Sequence, residues 1–477
     1  MQGGPPPPPD RAGRFGAVIL LIQLGGLLLA AAVTPSLVNG DGLGYLKASV
    51  ERGGAPYPGH LGYLPLLRLV TRLVGAGDLP ADRLWAGRLI SLAGGVLASV
   101  ALGLWARRRA GDQAGWLAAA GMWASAGALG AFADVETYGA ALGALTLALA
   151  LGDAPGRLAS AVAAVAASAA ILLHVENVLL LLPLGLCLSA RRRLPVVGAA
   201  ILLVGVAYAA MVAEHGPGWL VGAGHGFVQT HRWLAVVTAL YGAGKSLVFA
   251  PYPYEASWPV VVGCSALGIA SLMALTWCWR RPLSRAATWA WLVPYALVGL
   301  AFYGSDAERW LFVLPLLWLG VALGSRRWLA WTTTALLVAA ELAILRPVAR
   351  DHRARDRAEA AAPLVRDGDL IISPGHGWDE YLGFVARRRT RPFPLVYHAA
   401  LHGRAQLAGA IAEAVATARN EHRRILLVRL GAAATVPEDP LGWKELAPLG
   451  ITAANVRDYL PSGLQIRLGP DVEELQP

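Results

Sequence analysis

Asp41 is the acidic side chain in this sequence whose position most clearly suggests chemistry. It follows the first long apolar run, residues 15–35, and lies in a glycine-rich stretch with Tyr45 close behind it. A carboxylate at the mouth of an apolar run is suited to act as a general base, because it can accept the proton of an attacking hydroxyl group. We therefore predict a catalytic role for Asp41. The alternative is a helix cap or a solvated charge, roles that acidic loop residues often fill.

Further ionisable side chains interrupt the later apolar runs. Asp134 and Glu136 lie at a short break between two runs, and His174 and Glu176 lie inside the otherwise apolar stretch 158–189. Charged groups at membrane depth are costly, so they usually face a cavity or a partner. We predict that these four residues contribute to a site. The alternatives stay open: the two acids can simply mark a loop, and His174 and Glu176 can pair with each other at a turn.

Two cations are candidates for binding a phosphate group. Arg309 precedes an apolar run, and the charge that grows on a leaving phosphate requires cations or oriented donors. Arg309 can instead pair only with Asp306 or Glu308. Lys245 lies in the sequence Gly-Ala-Gly-Lys-Ser at 242–246, which ends like a phosphate loop but lacks the first glycine and follows no soluble strand. This excludes nucleotide binding and leaves contact between Lys245 and a lipid phosphate open.

The composition of the chain indicates a membrane protein. Of 477 residues, 56% are hydrophobic and only 15% are charged, whereas about a quarter of a typical soluble protein is charged. Apolar runs of about 16–22 residues are long enough to cross a bilayer. The net charge of +10 comes from short clusters between these runs, such as residues 107–109 and 191–193. Such clusters mark cytoplasmic loops, so we do not expect nucleic-acid binding.

The runs predict a polytopic α-helical membrane protein with about 11 transmembrane helices. Placing the arginine clusters inside puts the amino terminus in the cytoplasm and the carboxyl-terminal domain outside the inner (plasma) membrane. Residues 1–14 are expected to be a disordered cytoplasmic tail, and residues 15–345 the membrane domain, with outer loops at 36–85 and 214–257. The predicted spans lie near 15–35, 86–106, 113–132, 137–152, 158–173, 176–190, 195–213, 258–279, 286–303, 310–324 and 328–345.

The remaining residues, 346–477, predict a small soluble α/β domain outside the membrane. Apolar β-type runs occur at 369–373, 393–397 and 425–429, and alternation at 463–468 indicates another strand. Segments 378–386 and 404–420 have helical composition. Strands that alternate with helices predict a mainly parallel sheet.

These features together resemble the GT-C membrane glycosyltransferases that use polyprenyl-phosphate sugars. That group carries an acid just after its first transmembrane helix, in an outer loop with two interfacial helices, as Asp41 does here. The segment Gly59–Pro65 (GHLGYLP) is similar to a motif of this loop. Asp134–Tyr138 (DVETY) resembles the Glu-x-Tyr element of the mannosyl- and aminoarabinosyl-transferring branches, and Arg309 matches an arginine that often precedes an apolar run with proline.

The resemblance implies an inverting glycosyltransferase of the cell envelope, which moves a sugar from a polyprenyl-phosphate donor to an acceptor at the outer face of the membrane. It implies no soluble cofactor and no assigned metal ligand, although a divalent metal stays possible. The expected partners are the donor, a lipid, glycan or protein acceptor, and membrane lipids. Asp41 would be the catalytic base, and the expected substrate-binding residues are Tyr45, His60, Asp134, Glu136, Tyr138, His174, Glu176, Lys245 and Arg309.

Two other functions are compatible with a polytopic membrane protein. A transporter or flippase of a lipid-linked saccharide would have inverted repeats and broken helices with charges near the midplane, whereas the polar groups here gather at one predicted face. A scaffold protein would have little use for an acid-bearing first loop of about fifty residues, which is long for a connection. We therefore favour the enzyme over both alternatives.

Overall fold

The computed structural model of the chain consists mainly of helices joined by short turns. It describes residues 9–35, 38, 40–51, 56–221, 235–249, 258–301, 306–350, 353–373, 378–428, 446, 450–452, 456–459, 465–468 and 472–475. Most of the predicted amino-terminal tail and much of the predicted second outer loop lie outside these residues. The part of the tail that is described, from Pro9 onward, already belongs to the first helix.

The chain divides into two compact units. The first, here called the membrane unit, comprises residues 1–35, 53–74 and 86–350, and the second unit comprises 36–52, 75–85 and 351–477. Two segments of the predicted first outer loop thus belong to the same unit as the carboxyl-terminal residues. The predicted division at residue 346 stays a prediction.

Helices follow the apolar runs of the membrane unit, and each predicted span is helical over most of its length. The helices are α1 Pro9–Val33, α3 Tyr63–Leu73, α4 Leu84–Ala110, α5 Asp112–Trp123, α6 Ala126–Ala133, α7 Thr137–Gly152, α8 Arg157–Leu173, α9 Leu181–Cys187, α10 Ala190–His215, α11 Gly218–Val221, α12 Ala235–Lys245, α13 Trp258–Cys278, α14 Arg285–Ala301, α15 Leu314–Ala322 and α16 Arg327–Ala349. Within the described residues, 5 helices are long and apolar enough to cross a membrane, or up to 6 if a bent pair counts as one span. The polytopic helical class is confirmed, while the number of spans stays a prediction.

The predicted span 113–132 is not one straight helix. Its two halves, α5 and α6, are bent by 66° at a short break. The backbone N–H groups of Ala126 and Gly127 donate to the carbonyls of Leu247 and Ser246 instead of to the preceding helical turn. Ser125 is fully buried at the break, where its hydroxyl donates to Gly121 O and accepts from the Trp318 indole. Tertiary contacts of the freed backbone groups therefore replace the helical ladder here.

Glycines allow α4 and α7 to approach each other closely. A Cβ atom added at Gly143 would lie 2.6 Å from Gly94 O, and one added at Gly139 would lie 2.8 Å from Ser91 O. Small residues at helix contacts are typical of membrane proteins, because close packing drives helix association in lipid. This contact sets the position of α7, whose first turn follows Glu136.

The second unit contains α2 Gly40–Val50 and an α/β domain. Its further elements are α17 Arg353–Ala361, β1 Leu370–Ser373, α18 Trp378–Val385, β2 Arg391–Pro394, α19 Leu395–Asn420, β3 Ile425–Val428, β4 Gln465–Arg467 and β5 Val472–Leu475. The described strands form a five-stranded sheet in the order β2-β1-β3-β5-β4. Leu370, Ile372, Ile425 and Leu427 belong to its hydrophobic core.

The sheet is mixed rather than mainly parallel. β1 pairs in parallel with β2 and β3, as the alternation of strands and helices predicts, but β5 pairs antiparallel with β3 and β4. An ion pair between half-buried Arg424 and buried Asp369 stabilises the parallel half, since Arg424 Nη2 lies 2.7 Å from Asp369 Oδ2, and the Arg366 N–H also donates to this oxygen. The predicted α/β class of this region is confirmed, with an antiparallel edge that the strand pattern does not show.

The α4–α7 contact gives a stability prediction. The Gly94→Ala variant places its Cβ against the Gly139 carbonyl, so the two helices must separate at a cost of about 1–3 kcal/mol. We expect a lower melting temperature for the purified protein in detergent. The matched control is Gly198→Ala in α10, where an added Cβ meets nothing within 4 Å. Equal melting temperatures for both variants would contradict the close contact.

Candidate active site

A turn that carries His60 is held against the end of α8. This turn, Pro58–His60, is a 3₁₀ segment whose Pro58 carbonyl accepts a 2.6 Å hydrogen bond from the Tyr208 hydroxyl of α10. The Gly62 N–H donates to Leu172 O at 2.7 Å, and His60 Nδ1 lies 3.2 Å from Leu173 O. Two helices, α8 and α10, thus position the His60 ring within the membrane unit.

The imidazole of His174 is the centre of an aromatic cluster. Its ring centroid lies 4.7 Å from that of His60, 4.5 Å from that of Tyr138 and 5.1 Å from that of Phe312. His174, Tyr138 and Phe312 are all buried. The structure therefore brings three predicted site residues, His60, Tyr138 and His174, into one cluster, with Phe312 as an added member.

Glu176 and Arg309 form an ion pair beside this cluster, although they are 133 residues apart in sequence. Arg309 Nη1 donates to Glu176 Oε1 at 2.5 Å, and both side chains are less than one-fifth exposed, at 19% and 17%. A charge-assisted hydrogen bond of this length is among the stronger polar contacts in proteins. The pair brings two more predicted site residues together.

The structure decides between the pairings that the sequence leaves open. Glu176 Oε2 lies 4.0 Å from His174 Nδ1, so those two residues make only a long contact. Asp306 caps its own turn by accepting from the Glu308 N–H at 3.1 Å. The ion-pair partner that the structure gives to Arg309 is thus Glu176.

Three polar atoms of this cluster make no hydrogen bond within the described part of the chain. They are His174 Nδ1, Glu176 Oε2 and Arg309 Nε, and all three are buried. Buried polar groups nearly always have partners, and orphaned ones need an explanation such as a ligand or an ordered water. Arg309 Nε–H can therefore donate a hydrogen bond to a bound anion while the ion pair with Glu176 stays intact.

Asp134 and Glu136 are buried just before the first turn of α7. Asp134 Oδ1 accepts from the Val135 N–H at 2.8 Å, while the Ser91 hydroxyl of α4 donates to Glu136 O and accepts from the Glu136 N–H. Burial and the charge of Glu136 raise the pKa of Tyr63 above its usual value. The two acids therefore lie among the buried polar residues Ser91 and Tyr63, and α7 leads from them to Tyr138.

Lys245 is buried at the end of α12, with its ammonium group 5.9 Å from the Phe249 ring centroid. Helix α12 packs against the turn Ala307–Val313, here called the Arg309 turn. Lys245 therefore lies on a helix that contacts the Arg309 turn, so the two predicted phosphate-binding cations are on neighbouring elements.

Asp41 and Tyr45 lie on α2 in the second unit. Asp41 is in the first turn of this helix and its side chain is exposed, whereas Tyr45 is half-buried. An acid in the first turn also interacts favourably with the helix dipole. Their predicted roles as base and substrate-binding residue stay predictions.

An apolar cavity of about 470 Å³ adjoins the Arg309 turn within the membrane unit. Trp310 and Val313 of that turn line it, together with residues of α12, α13, α14 and α15 such as Leu240, Leu292 and Leu316. A cavity with such a lining excludes charged groups and accepts hydrocarbon. A buried cation with a free donor and an apolar chamber thus occur on one short segment of chain.

Comparison with solved structures finds the same fold in a bacterial membrane protein, ArnT from Cupriavidus metallidurans. Its apo structure aligns with a TM-score of 0.62 at 13% identity, and the form bound to undecaprenyl phosphate with 0.59 at 14%, each over 97% of both chains. The chain has the GT-C fold. No family model matches the sequence, and the search of curated proteins finds no match either.

A more distant alignment covers an archaeal oligosaccharyltransferase, AglB from Archaeoglobus fulgidus. It has a TM-score of 0.47 at 12% identity and covers 89% of this chain and 72% of that one. The assignment of the GT-C fold depends on the ArnT structures alone.

Two buried polar residues near the predicted site residues, Asn177 and Tyr63, are absent from the predicted set. Asn177 is fully buried and accepts a 2.9 Å hydrogen bond from Tyr295 OH of α14, and Tyr63 lies beside Glu136. The signal for Asn177 was present, because an amide inside an apolar run must find partners. In the described residues, no group of three His, Cys, Asp or Glu side chains could hold a metal ion.

The environment of His60 gives a pH prediction. Burial lowers the pKa of His60 to about 4, an effect that the Leu173 carbonyl opposes and the charge of Arg309 reinforces. The unfolded chain takes up this proton near pH 6.5, so the stability contribution is complete above pH 6.5 and is lost as the pH falls towards 4.

We expect His60→Asn, whose amide can still donate to Leu173 O, to lose less thermal stability than the wild type over this pH range. Melting curves of the detergent-purified protein measure this difference. His422→Asn, which replaces an exposed histidine of the second unit, is the control and should follow the wild type. A His60→Asn curve parallel to that of the wild type would show that His60 is not kept neutral by burial.

Proposed function

We propose that this protein is an inverting glycosyltransferase that moves a sugar from a polyprenyl-phosphate donor to an acceptor at the outer face of a membrane. The observation that carries the proposal is the Arg309 turn. The Nε atom of its arginine is buried and makes no hydrogen bond to the described residues, and its Trp310 and Val313 line an apolar cavity. A lipid phosphate has a charged head and a long apolar tail, which are the two groups that this segment can accommodate.

The GT-C fold supports this assignment. The ArnT structure that aligns over 97% of this chain is bound to undecaprenyl phosphate. By analogy, we assign the donor class to this chain as a polyprenyl phosphate that carries a sugar. We further propose a multi-pass protein of the inner membrane, with the amino terminus in the cytoplasm and the carboxyl-terminal domain outside, because the arginine clusters between the apolar runs favour this orientation.

The proposed reaction is a single displacement at the anomeric carbon. The acceptor hydroxyl forms the new bond, its proton goes to the Asp41 carboxylate, and the bond from the anomeric carbon to the phosphate oxygen breaks. One displacement inverts the configuration of the anomeric carbon. The negative charge that grows on the leaving phosphate is stabilised by Arg309, with Lys245 as a second cation.

The remaining candidates would bind the sugar. His60, Tyr138 and His174 offer ring surfaces and nitrogen or hydroxyl groups, and Asp134 and Glu136 can accept hydrogen bonds from sugar hydroxyls. Glu176 holds the Arg309 guanidinium in place. This scheme uses no soluble cofactor, and its acceptor is a lipid, a glycan or a protein.

Removal of the proposed base tests the chemistry. We expect Asp41→Asn to reduce sugar transfer by about 10²–10⁴-fold, because an amide cannot accept the proton, while binding of the donor is retained. Transfer of labelled sugar from polyprenyl phosphate in reconstituted membranes measures the rate. Asp356→Asn, a neutralised exposed acid on α17 of the same unit, is the control and should transfer at the wild-type rate.

Transfer that persists in Asp41→Asn would refute the role of this residue as base. A wild-type protein that moves the lipid-linked sugar across vesicles without transferring it would instead support the flippase.

Removal of the proposed phosphate ligand tests the donor site. Arg309→Gln alone would leave Glu176 buried without its partner, so the double variant Arg309→Gln/Glu176→Gln keeps an uncharged, hydrogen-bonding pair. We expect its affinity for a polyprenyl phosphate to fall about ten- to a hundredfold, because a hydrogen bond to a charged group is lost.

Binding to the protein in nanodiscs, followed by tryptophan fluorescence, measures this affinity. The control is Arg157→Gln, since Arg157 is exposed at the start of α8. Wild-type affinity in a folded double variant would rule out Arg309 as the phosphate ligand.

A further inference from the structure

The second unit contains a cavity of its own that the proposed reaction does not use. It has a volume of about 580 Å³ and is lined by α2, by residues near Pro80, and by the segment from α18 to β2. Its lining combines apolar side chains such as Leu43 and Phe384 with the cations Lys47, Arg388 and Arg389. A lining that combines apolar and cationic side chains suits an anion attached to a less polar group.

The cavity and the candidate base lie on opposite faces of α2. Leu43, Lys47 and Val50 are spaced by four and three residues, so they share one face of this helix and line the cavity. Asp41 and Tyr45 are also four residues apart but lie about half a turn away from the first set. A helix with its side chains is about 10 Å across, so a group bound in this cavity is not the group that reacts at Asp41.

The arginines are presented by a turn whose backbone is closely fixed. Arg387 has a φ of 53°, in the left-handed region that glycine or asparagine usually occupies. The N–H groups of Arg387 and Arg388 donate to Phe384 O at 3.1 Å and Gly383 O at 3.0 Å, which closes the end of α18. The Arg387 side chain pairs with Asp82 of the same unit. Arg388 and Arg389 therefore directly follow a residue whose backbone and side chain are both held by hydrogen bonds.

The charges around the cavity favour an anion. Arg388 makes only a long contact with Asp367, at 3.7 Å, and the Arg389 backbone N–H donates to the same residue at 2.9 Å. The acids of the lining are Glu51 and Asp78; the latter is 93% exposed and lies 3.7 Å from Arg83. The lining thus contains three cations and two acids, one of these acids has its own basic neighbour, and Asp367 contacts the two arginines from outside the lining.

We infer that this cavity binds a phosphate or carboxylate carried by a sugar of the acceptor. The inference rests on the proposed function, because an acceptor is required, but it concerns a part of the acceptor away from the reacting hydroxyl. Arg388 and Arg389 bind the anion, and Phe384 with Leu43 packs against the ring or chain that bears it. Such a contact raises affinity for the acceptor without changing the chemical step.

The test uses the full chain in phosphatidylcholine nanodiscs and calorimetric titration with glucose 6-phosphate, with glucose as the uncharged probe. We expect the wild type to bind the phosphate at least about tenfold more tightly than glucose, because a charge-assisted hydrogen bond distinguishes them. Arg389→Gln should lose this preference, and Arg389→Lys, which keeps the charge, should retain most of it. Arg366→Gln, an exposed arginine of the same unit outside the lining, is the matched control.

The double variant Arg309→Gln/Glu176→Gln separates this site from the donor site. If it keeps the preference for glucose 6-phosphate, binding occurs at the cavity of the second unit, whether or not the transferase proposal holds. If it loses the preference while Arg389→Gln keeps it, the inference is wrong. Equal binding of glucose and glucose 6-phosphate by the wild type would also overturn it.

The source of the anion is decided by competition. Phosphatidylglycerol vesicles that displace glucose 6-phosphate, where phosphatidylcholine vesicles do not, would assign the cavity to a lipid headgroup. Displacement by neither vesicle would assign it to a soluble or glycan-borne anion. The first result would overturn the assignment to a sugar-borne anion, and the second would support it.

Discussion

The burial of the Arg309 guanidinium is the constraint on which the candidate site depends. A cation that is 19% exposed must be compensated, and Glu176 supplies the charge at 2.5 Å. Replacing one partner of such a pair is costly because the other is left unpaired and desolvated. Arg309 Nε makes no hydrogen bond within the described part of the chain. The arginine is therefore held in place by Glu176 and keeps a donor for the proposed ligand.

The helices of the membrane unit are arranged around this pair. Glycine contacts between α4 and α7 bring Tyr138 to the cluster, and the bonds of Gly62 and His60 to the end of α8 bring the His60 ring against His174. Because Trp310 and Val313 belong to the same turn as Arg309, one short segment contributes to both the polar cluster and the apolar cavity. The ion pair, the aromatic cluster and the apolar cavity are therefore positioned by the same local packing.

Sequence reasoning found the elements of this site because charges are rare in an apolar chain. Each predicted span became a helix or a pair of helices, and His174, Glu176 and Arg309 were all selected. Their pairing was not predictable, since residues 133 apart carry no local signal of contact. The strand expected at 393–397 ends at Pro394, and α19 begins at the next residue. Strand β5 is not predictable from its sequence, VEEL, because two acids interrupt the apolar pattern; one of them, Glu474, lies 3.6 Å from Arg424 Nη1.

The most direct measurement of the donor site is a structure of the full chain with a polyprenyl phosphate bound. The result expected is a phosphate oxygen within hydrogen-bond distance of Arg309 Nε, with the Glu176 pair intact and the first isoprenyl units in the cavity lined by Trp310 and Leu316. A phosphate that binds away from Arg309, or a tail that leaves this cavity empty, would contradict the assignment of the Arg309 turn as the donor site.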